Sequence, residues 1–474
     1  MKDEATLRDL QGILQTMKKA HLSKPPADAA LRRDRLERAA NLLTDNAVDF
    51  AKAISADFGN RAIYQSLAAD IATTAAGLRF SAEHVTEWMQ RETAETSDPA
   101  MRAWIEPQPL GVVGIISPWN FPINLAFAPL AGVLAAGNTA MIKPSEFTPR
   151  TSELMAELVG DLFDADELGI VIGGPDVAQA FSSLPFDHLV FTGSTSVGRH
   201  VMRAAAENLV PVTLELGGKC PVVIDPGFDV TTAAERVMTV KTFNAGQICV
   251  SPDYVMIESK DVEAFVSSAE AFMKRAFPTL QSNDEYTSIV TSRHFDRLLD
   301  LIADAEAKGA KAIRLNPADE PPHDAATRKM APVLLVGVTE DMRVMQEEVF
   351  GPLLPIRTMS SVRDAIARIN AHDRPLAAYL FSDTPATQQQ FAAAVTSGSL
   401  VINDVMTHSG LESVPFGGVG ASGTGAYHGI HGFRRFSHFR PTILQSAEGA
   451  SGLRLRAPYA EKLTALEARL SRKH

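Results

Sequence analysis

A chain of 474 residues that is 45% hydrophobic and 21% charged can bury a large core, and its length suggests about three domains. The net charge of −11 and the pI of about 5.6 argue against nucleic acid or an anionic membrane as the main partner, although a few local donors could still hold a small anion. Two cysteines, Cys220 and Cys249, and an acidic N-terminus with no apolar stretch point to a reducing, cytoplasmic setting.

The first ninety residues predict helices. Leu7, Leu10, Ile13, Leu14 and Met17 recur at helical spacing, as do Leu31, Leu36, Leu42 and Leu43. Pro25 and Pro26 separate these runs, and an alanine-rich run follows over residues 61–91. Residues 103–107 read as a short extended piece. Residues 110–142 contain no Asp, Glu, Lys or Arg and could span a bilayer by length. Pro118, Pro122 and Pro129 interrupt that stretch, and lipid could not satisfy the backbone groups they free. It reads instead as strand 112–117, helix 125–136 and strand 139–143, all buried. A helix follows to about residue 163, with Thr148 as its cap and Pro149 at its first position. Further strands are expected at 170–172, 188–192 and 212–216. The alternation restarts at Pro221, with strands at 222–225 and 254–258 and helices to about residues 247 and 277, and it continues to about residue 403. Short buried strands separated by helices predict an α/β chain with mostly parallel sheets. The tail after Gln445 is polar with weak helical spacing.

Four segments carry chemistry. In Asn244-Ala245-Gly246-Gln247-Ile248-Cys249 a cysteine follows a glycine-containing turn at a helix end. There it can be an exposed nucleophile, activated as the thiolate, or a small buried hydrophobe. In Glu215-Leu216-Gly217-Gly218-Lys219 a carboxylate ends a strand, where α/β folds bind ligands. It is either a general base raised by burial or a solvated acid at a turn. Asn120, in Pro118-Trp119-Asn120-Phe121-Pro122, either holds a developing oxyanion with the Cys249 N–H or caps a turn. Lys143 and Glu146 follow a strand and could meet a ribose or phosphate. Residues 191–198 (Phe-Thr-Gly-Ser-Thr-Ser-Val-Gly) open a helix whose first N–H groups suit a phosphate. Gly418-Val419-Gly420-Ala421-Ser422-Gly423 matches a dinucleotide fingerprint by letter only, since no strand–helix unit surrounds it. It reads as a tight loop. The histidines lack metal-ligand spacing, and His408, His428, His431 and His438 read as structural.

Taken in order, these segments resemble the aldehyde dehydrogenase superfamily over nearly the whole chain. The match runs through Trp-Asn-Phe-Pro, Lys-Pro-Ser-Glu, Phe-Thr-Gly-Ser, Glu-Leu-Gly-Gly-Lys and Gly-Gln-x-Cys to Glu347-Glu348-Val349-Phe350-Gly351-Pro352. Pro415-Phe416-Gly417-Gly418-Val419-Gly420 and Tyr427-His428-Gly429 resemble the class 3 branch. The segments around Trp119 and Lys143 resemble its bacterial coniferyl-aldehyde members.

The resemblance implies two Rossmann-like doubly wound domains plus a small β oligomerisation arm. Residues 1–94 and 109–216 would bind the dinucleotide and 217–418 would form the catalytic domain. Residues 95–108 and 419–445 would form an oligomerisation or bridging segment, with a homodimer expected, and 446–474 would form a polar tail. It implies Cys249 as nucleophile, Asn120 as oxyanion donor and Glu215 as deacylation base, with Glu348 a rival for that role. For the cofactor it implies NAD, with NADP possible. Lys143 and Glu146 would hold the adenosine ribose; Gly193, Ser194, Val197, Gly198 and Leu216 would line the pyrophosphate and adenine site. Trp119, Glu348 and Phe350 would lie at the nicotinamide. The implied substrate is a small aldehyde, aromatic such as coniferaldehyde, or alternatively medium-chain aliphatic; no metal, nucleic acid or membrane is implied. Cys220 and Thr242 depart from the usual motif residues without touching a proposed catalytic group. Competing readings are a cysteine hydrolase or acyltransferase, a CoA-acylating dehydrogenase and a non-catalytic relative.

Overall fold

The computed structural model describes residues 2–96, 98–447 and 455–471, with side chains from residue 9 onward. Helices Lys2–Ser23, Ala29–Asp45, Ala47–Phe58 and Thr73–Trp88 open the chain, and a π-helical stretch, Ser66–Ala72, precedes the last of these. Leu10, Leu14 and Met17 bury against Phe181, Phe186 and Leu189, while Leu36, Leu42 and Leu43 enter the main core. Ile13 and Leu31, expected inside, are exposed because they sit on the flanks of these stripes. Leu7 lies outside the described side chains.

In chain order, β1 (Glu92–Ala94) and β2 (Arg102–Pro109) begin a small sheet. Next come β3 (Val112–Ile116), β4 (Thr139–Lys143), β5 (Leu168–Ile170), β6 (His188–Gly193) and β7 (Val212–Leu216). Then follow β8 (Pro221–Ile224), β9 (Tyr254–Ile257), β10 (Lys311–Arg314), β11 (His323–Asp324), β12 (Lys329–Met330), β13 (Val333–Val336), β14 (Leu353–Thr358), β15 (Ala377–Phe381) and β16 (Ser399–Ile402). The chain ends its sheets with β17 (Gly423–Thr424) and β18 (Ser437–Leu444).

One sheet has the order β17-β7-β6-β3-β4-β5 and is parallel except for the edge strand β17. The other has the order β10-β13-β14-β9-β8-β15-β16 and is parallel except for β10. Val113 and Ile115 face one apolar cluster and Val112 and Ile116 another, so β3 is covered on both faces, as a parallel sheet requires. The 110–142 stretch is strand, buried helix Asn124–Ala135 and strand. Among the described residues no helix is long and apolar enough to cross a membrane.

Three expectations need correction. Thr148 does not cap its helix. Its hydroxyl donates to the Ser145 carbonyl, and the free N–H groups of Arg150 and Thr151 are taken by Asp57, 3.1 and 2.9 Å away. The strand expected at 170–172 is Leu168–Ile170, because pairing with β4 begins at Leu168 and Ile172 is already exposed. Residues 419–445 are not one arm segment. β17 takes the free edge of β7, and helix Gly429–Arg435 packs on Asn124–Ala135 where Gly132 meets Gly432. A Cβ on Gly132 would lie 2.8 Å from the Gly432 Cα. Only β18 joins β1 and β2 in the three-stranded sheet. The described part of the tail forms an exposed helix, Ala460–Leu470; residues 448–454 and 472–474 lie outside the described residues.

Candidate active site

Strand order reverses around β3: β4 and β5 lie on one side, β6 and β7 on the other. Ligands of doubly wound sheets bind where strands leave such a switch point at their carboxyl ends. Trp119 and Asn120 follow β3, Lys143 ends β4, Gly193 ends β6 with Ser194 just after it, and Glu215 and Leu216 end β7.

Cys249 faces this region from the second sheet. Its loop is strained at Asn244 and Ala245, with φ of 50 and 51°, and continues left-handed at Gly246, with φ of 71°. A Cβ on Gly246 would lie 2.4 Å from the Gly351 carbonyl, so that residue must be glycine. Buried amides hold the loop. The Asn244 N–H donates to Gln65 Oε1 at 3.0 Å, and its side chain donates to the Asn120 and Gln247 carbonyls, both at 3.1 Å. Gln247 in turn donates to the Asn244 and Ser288 carbonyls at 2.9 and 3.1 Å.

Asn120 is buried, and its Nδ2 donates to the Gln247 carbonyl at 3.2 Å. That places it beside the cysteine loop, and its carbonyl accepts from Arg61 at 2.8 Å. Arg61 pairs with Asp70 at 2.8 Å with both side chains fully buried, and Asp70 accepts from the Ile123 and Asn124 N–H groups. Arg61, Gln65 and Asp70 were not legible as site residues, because no local pattern links them to residues 120 or 244.

Cys249 lines a cavity of about 320 Å³ with Phe121, Phe243, Phe416, Tyr427 and Val405. This volume suits a small ligand. His428 also lines it, and His408 and His428 both stack on Phe416, so two histidines read as structural belong to the cavity wall or its backing. Among the described residues no cluster of His, Cys, Asp or Glu could hold a metal.

Glu215 is only 2% exposed and neither carboxylate oxygen has a hydrogen-bond partner, which removes the solvated-turn alternative. Burial pushes its pKa well above the carboxylate range, and Arg435 opposes this. Glu348 lies against the backbone of Gly217, where a Cβ would come within 2.1 Å of its Oε2. Burial, with Asp253 nearby, pushes Glu348 up to about 8, against the Gly218 N–H, Lys219 and Arg297. Burial and then the charges of Glu348 and Glu215 push the Cys249 thiol up to about 12. The backbone N–H groups of Val250 and Cys249 pull it the other way. The thiol and the two carboxylates therefore share one electrostatic environment. Cys220 is fully buried, its thiol donating to the Cys249 carbonyl, and burial raises its pKa well above the ordinary value. It is a packing residue.

The other predicted residues form the opposite wall. Trp119 meets Phe350 edge-on at 5.4 Å and His294 at 5.2 Å. Lys143 is buried, with its Nζ 3.2 Å from the exposed Glu146. Ser194 caps helix Thr195–Ala206 by accepting from the Val197 N–H, and Ser194 and Val197 are exposed. A Cβ on Gly198 would lie 2.6 Å from Leu216 Cδ2, so glycine lets this helix sit against the end of β7. A sheet-end glycine, a helix start with exposed Ser194 and Val197, and a Lys–Glu pair suit the pyrophosphate and ribose of a dinucleotide. Lys143, Glu146, Ser194 and Val197 are placed where they could hold such a group.

A thiol serving hydrolysis alone would need no such wall. Two half-sites facing each other across one switch point fit a dinucleotide-linked oxidoreductase that works through a cysteine. The chain belongs to the aldehyde dehydrogenase family, whose model matches residues 3–441. It is similar to the coniferyl aldehyde dehydrogenase of Pseudomonas sp., with 52% identity over 457 residues, 96% of this chain and 95% of the relative. The substrate-bound state of Staphylococcus aureus AldH superposes with a TM-score of 0.91 at 34% identity, covering 98% of this chain and 99% of that one. The indole-3-acetaldehyde dehydrogenase AldA of P. syringae, in complex with NAD+ and IAA, superposes with a TM-score of 0.84 at 27% identity, covering 93% and 89%.

Proposed function

We propose that this chain oxidises aromatic aldehydes, coniferaldehyde foremost, to carboxylic acids with NAD. The observation that carries the reading is Cys249 lining an aromatic-walled cavity beside Glu215 and Glu348. The Cys249 thiolate adds to the aldehyde carbon. The Asn120 amide and the Cys249 N–H hold the oxygen that becomes negative. Bound beside Trp119 and Phe350, a nicotinamide would supply the hydride acceptor. Cys249 is left as a thioester, and Glu215 takes a proton from the water that hydrolyses it. Glu215 is preferred over Glu348 as that base because both its oxygens are unpartnered, whereas the Gly218 N–H engages Glu348.

NAD is preferred to NADP because Glu146 can accept from a 2′-hydroxyl and would repel a 2′-phosphate. The edge strand β18 presents Ile443 and Leu444 to solvent, which supports a homodimer through this arm. Light scattering of the purified protein tests that. A reducing, cytoplasmic location goes with the two free thiols. The substrate reading is tested by ranking kcat/KM across aromatic and medium-chain aliphatic aldehydes; an aliphatic optimum would replace it.

A further inference from the structure

Strand β7 turns Thr213 and Glu215 to one face, while Val212, Leu214 and Leu216 enter an apolar cluster on the other. A guanidinium is built into the Thr213–Glu215 face. Arg435, at the end of helix Gly429–Arg435, donates through Nε to Thr213 Oγ1 at 2.8 Å and through a terminal nitrogen to the Val212 carbonyl at 2.6 Å. The Thr213 hydroxyl passes its own proton toward His188 Nε2, 2.8 Å away. His188 can accept, because burial and Arg435 hold it down at about 3 and keep it neutral. Gly425 makes room: its φ is 86°, and a Cβ there would lie 2.8 Å from Arg435 Nε.

The titratable groups set around Glu215 are Arg435 from this helix, Tyr427 from the loop before it and Cys249 from its own loop. His188 on β6 lies behind Thr213. Of these, Arg435 alone is a cation at neutral pH.

We propose that Arg435 is a positioning residue for thioester hydrolysis: a counter-charge anchored on β7 that lets buried Glu215 become anionic and accept the proton of water. The inference rests on the reading of Glu215 as the base. A buried carboxylate without a nearby cation stays neutral and cannot take that proton. Arg435 spends its hydrogen bonds on Thr213 and the backbone rather than on Glu215. It therefore supplies field while leaving both carboxylate oxygens without a partner and free to accept. In the step, Glu215 accepts a proton, the water oxygen bonds to the acyl carbon and the carbon–sulfur bond breaks. Cys249 and the carboxylic acid are released, and Glu215 returns its proton to solvent.

The test uses the full chain with NAD and coniferaldehyde, following the first-turnover burst of NADH and the steady state across pH. In Arg435→Gln the burst persists and the aldehyde KM stays within about twofold. The acid limb of the steady-state rate moves up by about one pH unit or more, an approximately tenfold loss at neutral pH that alkaline buffer restores. Arg435→Lys keeps the parent profile. Thr213→Val, which loosens the anchor at little change of volume, gives a smaller shift in the same direction. An unshifted acid limb in both Arg435→Gln and Thr213→Val overturns the inference, whatever happens to the melting temperature. Glu215→Gln separates the two ideas. If it keeps steady-state turnover, the base reading itself fails. If it shows a burst without turnover while Arg435→Gln is unshifted, only the role of Arg435 fails.

Discussion

Around Cys249, Asn120, Asn244 and Gln247 are each held by buried partners from distant parts of the chain, and three consecutive residues are locked in left-handed backbone. On the dinucleotide wall, Glu146, Ser194 and Val197 are exposed, and the contacts that order them are local: Lys143 to Glu146, Ser194 to the Val197 N–H. The first region carries strain of about 1–3 kcal/mol per unusual residue, and it persists only because the network over-determines it. The second takes its geometry from strand–helix junctions that form with the fold. Damage to the first should reach kcat or folding; damage to the second should reach KM and cofactor choice.

The largest effect expected short of removing Cys249 is on Arg61. Arg61→Met leaves Asp70 as an uncompensated buried charge and should cost about 3–5 kcal/mol of unfolding free energy. Denaturant titration measures it, and Asp70→Asn added to the variant should recover part of the loss. A change under about 1 kcal/mol would mean that the network does not hold the loop. Next comes Asn120→Ala, expected to fold normally and lose about 10²–10³ in kcat, some 3–4 kcal/mol of barrier. Unchanged kcat would take Asn120 out of the oxyanion role.

Glu348→Gln probes the shared field. Since Glu348 becomes anionic only above about pH 8 and its charge helps burial push the Cys249 thiol up to about 12, removing it should lower the midpoint of Cys249 alkylation. A fall on the order of one pH unit is expected, opening only above about pH 8. Identical alkylation profiles would separate the two groups. The smallest effect belongs to the opposite wall: Glu146→Gln should erode the NAD-over-NADP ratio of kcat/KM by about 0.5–1.5 kcal/mol and leave kcat alone. An unaltered ratio would remove Glu146 from cofactor choice.

The same contrast decides what could be read from the residues. Ser194 and its helix are contiguous, so a strand, a glycine and a helix start could be read there from the residues alone. Cys249, Glu215 and Asn120 could be singled out as candidates because each lies in a short, distinctive segment, and the resemblance supplied their roles. What supports them was not legible. Asp57 caps the helix at Pro149 from 93 residues away, and Gln65 reaches Asn244 across 179. The cavity wall comes from Phe121, Phe243, Val405 and Phe416, whose convergence depends on packing and not on spacing. The end of the chain misled for a similar reason: Gly423 and Thr424 carry no strand signal, yet the open edge of β7 takes them.

The most direct test of the central claim is NAD reduction with coniferaldehyde, followed by absorbance, in the parent chain and in Cys249→Ala. Turnover is expected in the parent and none in the variant, with the variant still folded and still binding NAD. No reduction by the parent with NAD or NADP, while Cys249 continues to react with thiol reagents, would contradict it and favour a cysteine hydrolase or acyltransferase.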